Sequence, residues 1–240
     1  MKETQYDSIS GQYAEMVKKD PQKQFVQYPS ALHLLGDITG QMILDVGCGG
    51  GAFTRLLVNR GARVTAYDNS AGQIAQAKES SKSIFVDYLV ADPMEFRRNE
   101  QFDQAVTVLV LHYADDTQHL RKFFSSTCEA LRHGGQFVCI LANPDLKQLD
   151  VPMYNRCFHK IGNNRMTVFF LDQDQTVVCS AEYSDFSRMD YERATITGGF
   201  SRFEWVPLHI ENGGVEAMGE NYWLGFEEDC PYIGFIAFKE

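Results

Sequence analysis

Between residues 42 and 141, apolar runs of strand length alternate with stretches of helical period. Met42-Ile43-Leu44-Asp45-Val46, Val64-Thr65-Ala66-Tyr67, Phe85 to Ala91, Ala105 to Leu111 and Phe137 to Leu141 read as strands. They are apolar throughout rather than two-faced, as strands of a parallel sheet covered on both sides are. Helices are predicted between them. One runs from Ala52 to about Arg60, ended by Gly61, and another from Ala71 to about Glu79, capped by Ser70. A third places Leu120, Phe123, Phe124, Cys128 and Leu131 on one face, closed by Gly134-Gly135.

The flanks have a different texture. Tyr6, Ile9, Tyr13, Met16 and Val17 lie at helical spacing, Pro21 interrupts the pattern, and Ser30 to Leu35 reads as a helix opened by Ser30 and stopped by Gly36. After residue 142 the alternation breaks. Met166 to Leu171 and Gln175 to Ser180 flank the polar turn Asp172-Gln173-Asp174, the pattern of a β-hairpin. A helix over Asp190 to Thr197 and strands over Phe203 to Ile210 and Tyr232 to Phe238 are expected. Residues Glu211 to Pro231 between those strands read as partly helical.

The 240 residues suit one α/β domain with a small insertion. The net charge of −10 argues against a nucleic-acid partner or an anionic membrane surface. No apolar stretch is long enough for a membrane helix, and the N-terminus has no apolar signal region. The cysteines at 48, 128, 139, 157, 179 and 230 have no CxxC spacing, so no metal site is expected and reduced thiols in a cytoplasmic protein are.

The chemistry lies in Asp45-Val46-Gly47-Cys48-Gly49-Gly50-Gly51, which joins a strand to a helix. A dinucleotide fold has a similar turn. Here, however, an acid precedes the first glycine, which repels a pyrophosphate and suits an ammonium group. Asp68 and Asp92 close the next two strands. In an open α/β sheet, ligands sit at the carboxyl ends of the strands, so all three carboxylates face one crevice. Gly47 and Gly49 let backbone approach a ligand closely. Asp68 can accept from both hydroxyls of a ribose and Asp92 from an adenine amino group. Amine, ribose and adenine together describe S-adenosylmethionine. Each acid also has a plainer reading, Asp68 as a helix N-terminal acid and Asp92 as the start of a turn before Pro93.

The segment Ile43 to Gly51 resembles the first motif of class I S-adenosylmethionine-dependent methyltransferases. Asp68, Asp92, the run from Phe102-Asp103 through Leu111-His112-Tyr113, and the turn Leu131-Arg132-His133-Gly134-Gly135 resemble the later motifs in order and spacing. Tyr6-Asp7-Ser8-Ile9 with Tyr13, Leu34-Leu35-Gly36-Asp37 and Trp205-Val206-Pro207-Leu208 are similar to the toxoflavin-type branch of small-molecule methyltransferases. The resemblance implies a Rossmann-like, doubly wound, seven-stranded α/β sheet with its last strand antiparallel. Within a single domain it implies a helical lid over 1–39, a cofactor core over 40–141, an insertion over 142–188 after strand 5, and C-terminal strands over 189–240. It assigns the cofactor to Tyr13 and Tyr28 from the lid and to Asp45, Gly47, Cys48 and Gly49 from the first loop. Asp68 and Asn69, Asp92, Pro93 and Met94, and Val108 and Leu109 complete the set.

Methyl transfer from a sulfonium needs mainly positioning and exclusion of water, and an acceptor hydroxyl or carbon also needs a base. His112 and Tyr113 stand at the sheet's carboxyl edge as candidate catalytic residues, joined by Asn143 and Tyr183. The histidines at 33, 119, 133, 159 and 209 have no partner motif. Asn143, Tyr154, Phe158, Phe169, Tyr183, Tyr191, Tyr222 and Trp223 read as a wall suited to a flat or cationic small molecule. The expected activity is methylation of a small acceptor in secondary metabolism, on nitrogen rather than oxygen, by a monomer or homodimer, leaving S-adenosylhomocysteine. Two alternatives stand beside it. One is an azetidine-2-carboxylate synthase that cyclises the cofactor and releases methylthioadenosine, using Asn143 or Tyr183 to hold the amine. The other is a cofactor-binding accessory protein without turnover.

Overall fold

A computed structural model describes residues 20–82, 85–172 and 174–240. Tyr13 and the helical pattern of residues 6–17 lie outside the described residues, as does Gln173.

The predicted alternation is present. Strands β1 (Met42–Val46), β2 (Arg63–Asp68), β3 (Asp87–Val90), β4 (Phe102–Val108) and β5 (Leu131–Ala142) are parallel. Two later strands, β9 (Arg202–Pro207) and β10 (Tyr232–Phe238), complete a seven-stranded sheet of order β3-β2-β1-β4-β5-β10-β9. β10 runs antiparallel to both of its neighbours. The order reverses between β1 and β4, which opens a crevice at the carboxyl ends of the strands.

Side chains alternate across each strand, so the sheet carries two cores. Leu44, Val46, Phe137 and Cys139 pack on one face against α4 (Thr117–Ala130) and α5 (Arg188–Thr197). Ile43, Val106, Val138 and Ile140 pack on the other against α1 (Tyr28–Leu35), α2 (Ala52–Asn59) and α3 (Ala71–Ser80).

Local signals set most helix ends. The Ser70 hydroxyl accepts from Gln73 N–H at 3.2 Å, as predicted. Ser187 and Asp190 form a reciprocal capping box at α5. Ser30 does not cap α1. Pro29 takes a first-turn position there, where its missing N–H costs nothing, and a π-helical turn over Lys23–Gln27 leads in.

Most other boundaries shift by a few residues, and the larger differences have a visible cause. α4 stops at Ala130 and the chain becomes extended at Leu131, so Gly134-Gly135 lies within β5 instead of ending the helix. The irregular register between Phe102 and Gln104 absorbs the extra residues there. β4 ends at Val108 rather than Leu111, because Leu109 takes a left-handed φ of 59° and Leu111–Tyr113 forms a 3-10 turn.

The insertion holds more than a hairpin. β6 (Arg156–Ile161), β7 (Arg165–Leu171) and β8 (Val177–Ser184) form an antiparallel three-stranded sheet. Phe158, Met166, Val168, Phe170, Cys179, Ala181 and Tyr183 make its apolar core, against which Tyr113, Ala142, Leu146 and Met153 pack. That packing seats the small sheet over the carboxyl edge of the large one. A short helix, α6 (Gly214–Met218), precedes the return into β10.

Candidate active site

A cavity of 880 Å³ opens at the carboxyl edge of β1, β2 and β4. Such a volume is at the upper end for small-molecule sites. Its walls come from the loop after β1, the ends of β2, β3 and β4, the start of α4, the Lys23–Tyr28 segment and the insertion sheet.

Asp45 is buried beneath the loop, and its carboxylate accepts from the Thr54 hydroxyl of α2 at 2.6 Å. Burial raises its pKa to about 7. The Thr54 hydrogen bond opposes this rise, and the charge of Asp68 adds to it. Asp68 is held by backbone, one oxygen accepting from Gly49 N–H at 2.9 Å and the other from Ser70 N–H at 2.9 Å. Asp92 accepts from Met94 N–H at 2.8 Å, which turns the chain through Pro93. Each carboxylate oxygen has a second lone pair for a ligand.

The two central glycines differ. Gly47 has a φ of 71°, and a β-carbon there would stand 2.6 Å from Val110 Cγ2. The close approach is thus to the protein's own side chain. Gly49 has a φ of 52°, and the nearest atom to an added β-carbon is Gln73 Oε1 at 3.6 Å. The position is open, at the wall of the cavity. Leu109 closes the floor in a left-handed conformation unusual for leucine, held by its N–H on the Ile140 carbonyl at 2.8 Å.

All twelve described cofactor candidates line this one cavity: Tyr28, Asp45, Gly47, Cys48, Gly49, Asp68, Asn69, Asp92, Pro93, Met94, Val108 and Leu109. Of the four catalytic candidates only Tyr113 does. His112, Asn143 and Tyr183 instead line a separate space of 20 Å³, about the size of a water molecule. His112 is buried, edge-on to Tyr183 with ring centroids 4.9 Å apart, and its Nδ1 has no hydrogen-bond partner. Burial lowers its pKa to about 3, so it is neutral and enclosed. The Asn143 amide donates to the Cys230 carbonyl at 2.8 Å and its oxygen accepts from Asp145 N–H at 3.0 Å, which commits it to the chain. Burial pushes the Tyr183 hydroxyl well above its usual range.

The expected aromatic wall is not at this cavity either. Asn143, Tyr154, Phe158, Phe169, Tyr183, Tyr191, Tyr222 and Trp223 are all absent from its lining. Tyr191 packs against Phe186 and Trp205, and Tyr154 against Tyr222, Trp223 and Phe226. Beyond the cofactor candidates the lining is largely polar instead. It presents Tyr113, Asp115 and His119 from the approach to α4, with Arg165, Ser180 and Glu182 from the insertion. His119 Nδ1 lies 3.3 Å from Asp115 Oδ2. Sequence reasoning passed over His119, although its spacing of four from Asp115 on a helix start was a usable signal.

The glycine loop, with the strand-end acids in one cavity, is the arrangement found in methyltransferases. Residues 44–139 match the methyltransferase domain family. This segment is a class I methyltransferase domain, and its cofactor is S-adenosylmethionine. The donor set fits that cofactor: acceptors for an amine, a diol and an adenine amino group, with an open position at Gly49.

Sequence relatives agree. The domain is 29% identical over 119 residues to a ubiquinone biosynthesis O-methyltransferase of Methylobacterium sp., covering 46% of this chain and 44% of that one. The chain thus spans less than half of that relative's length. A malonyl-[acyl-carrier protein] O-methyltransferase of Salmonella typhimurium is 28% identical over 178 residues, covering 72% of this chain and 67% of that one. The fold is similar to an S-adenosylmethionine-dependent methyltransferase structure from Mesorhizobium loti, with a TM-score of 0.65, 24% identity, and coverage of 89% of this chain and 97% of that one.

Proposed function

We propose that the protein transfers a methyl group from S-adenosylmethionine to a nitrogen of a small polar metabolite. The supporting observation is the lining of the 880 Å³ cavity. The glycine loop and the strand-end carboxylates line it together with Tyr113, Asp115 and His119 and with Arg165 and Glu182 of the insertion, themselves paired at 3.5 Å; we assign the first set to the cofactor end and the second to the other. That second end is space for an acceptor, which an enzyme cyclising its own cofactor would not need. The bound cofactor supplies an activated methyl group. The chain's own residues hold the amine and ribose, and the insertion sheet limits water at the acceptor end. Asp115 and Glu182 suit an acceptor carrying an amine. The placement of the acceptor in natural-product metabolism rests on the toxoflavin-type resemblance.

One observation favours oxygen as a second reading. The His119–Asp115 pair at the acceptor end can take the proton that a hydroxyl acceptor must lose.

The test is incubation with S-adenosylmethionine, alone and with panels of amines, heterocycles and phenols, followed by quantification of S-adenosylhomocysteine and methylthioadenosine. Acceptor-dependent S-adenosylhomocysteine supports methyl transfer, and the responsive panel separates nitrogen from oxygen. Enzyme-dependent methylthioadenosine without an acceptor would overturn the reading in favour of cyclisation.

A further inference from the structure

Arg156, the first residue of β6, is buried, and so is Asp20, 136 positions away. Their side chains form an ion pair with both partners out of water. The arginine also donates to the Tyr154 carbonyl at 3.3 Å and stacks over the Phe170 ring at 5.3 Å. Asp20 in turn accepts from Gln22 N–H at 3.0 Å, and the Gln22 amide reaches across to the same Tyr154 carbonyl. One cluster therefore ties the start of the described chain to the insertion sheet. Both joined parts build the cavity: Lys23 and Tyr28 line it from the N-terminal side, Arg165, Ser180 and Glu182 from the sheet. Tyr28 also packs on Phe53 in the first turn of α2, with ring centroids 5.2 Å apart, beside the glycine loop.

A buried ion pair is a poor way to gain stability, since desolvation of both charges offsets their attraction. It is a good way to specify one arrangement, because either charge left alone in the interior is costly. Lys23–Gln27 and Tyr28–Leu35 form a single short helical run, whose later part is fixed on the sheet by the buried Ala31, Leu32 and Leu35. The ion pair anchors the start of that run, from which Lys23 and Tyr28 reach the cavity.

We propose that the Asp20–Arg156 pair is a clasp holding residues 20–28 across the cofactor end of the cavity, which makes Arg156 a positioning residue for cofactor binding. This rests on the reading of that end as the S-adenosylmethionine site.

The test uses the full chain and S-adenosylhomocysteine as probe. Its affinity is measured by titration calorimetry in the wild type, Asp20→Asn, Arg156→Met and the exchanged pair Asp20→Arg/Arg156→Asp. Amide hydrogen exchange is followed in parallel. The expected result is at least 10-fold weaker binding in both single variants. Faster exchange should be confined to residues 20–28 and 154–158, with β1, β4 and β5 as protected as in the wild type. Partial recovery in the exchanged pair would separate the clasp from a general packing role. Should Arg156→Met lose protection throughout the sheet, Asp20→Asn decides, since it leaves the arginine hydrogen-bonded to Tyr154. Wild-type affinity in a folded Asp20→Asn protein would overturn the proposal. Failure of the wild type itself to bind the probe would instead overturn the cofactor assignment.

Discussion

Asp68 at the end of β2 accepts a 2.9 Å hydrogen bond from the backbone N–H of Gly49 in the loop after β1. One carboxylate thus shapes the glycine loop at the wall of the cavity. Asp68→Ala should therefore weaken S-adenosylhomocysteine binding by about 1–3 kcal/mol from lost hydrogen bonds. It should also speed amide exchange at Gly49 and Ser70. Unchanged affinity in a calorimetric titration would place the ribose elsewhere.

Gly47 and Gly49 should fail in different ways. Gly47→Ala puts a methyl 2.6 Å from Val110 Cγ2, so it should destabilise the fold by about 1–3 kcal/mol. Gly49→Ala meets no close protein atom, so beyond the strain of its left-handed φ of 52° it should cost less stability than Gly47→Ala while weakening cofactor binding. Thermal melting and ligand titration on both variants check this. Equal binding losses with equal stability losses would contradict the distinction.

Asp45 should make cofactor binding depend on pH. Its pKa is raised to about 7 by burial, so between about pH 4 and 7 the folded chain holds a proton that the unfolded chain has lost. Stability contributed at this position therefore falls as pH rises through that window. A cationic amine bound beside it favours the ionised form. Binding of S-adenosylhomocysteine at pH 6 should then release a proton, read as a buffer-dependent enthalpy, and Asp45→Asn should remove the release.

His112 has the opposite sign. Its pKa is lowered to about 3 by burial, so between about pH 6.5 and 3 the unfolded chain binds a proton that the folded chain refuses. The contribution to stability is complete above pH 6.5 and is lost as pH falls through that window. Urea midpoints measured from pH 7 to 4 should drop less steeply in His112→Phe than in the wild type. With acceptor present, the same variant should keep a wild-type pH profile near neutrality, because His112 does not line the large cavity.

Much of the core was legible in local patterns. β1 and β10 have the predicted boundaries, and the acids that close β1, β2 and β3 meet in one cavity as expected. Short continuous apolar runs, glycines at left-handed turns and acids at strand ends all act over a few neighbouring residues, so the sequence alone carries them. β6 carries no such pattern. Of its six residues Arg156 is buried by an ion pair, and His159, Lys160 and Ile161 are exposed, so the segment reads as a polar loop. His112 and His119 show the same limit. His112 lies in the 3-10 turn, where Tyr113 and, from the insertion, Tyr183 pack on it, whereas His119 lies in the first turn of α4 and lines the cavity.

The sequence by itself determined the doubly wound sheet, the glycine loop and the three carboxylates of the cofactor end. The tertiary structure decided the rest of the cavity: Arg165 and Glu182 of the insertion in its lining, His119 rather than His112, and Asp20 joined to Arg156 where two of its walls meet. Those features are contacts between segments tens of residues apart. Their energy comes from burial and charge pairing that exist only once the insertion has packed on the sheet, and no short-range periodicity encodes them.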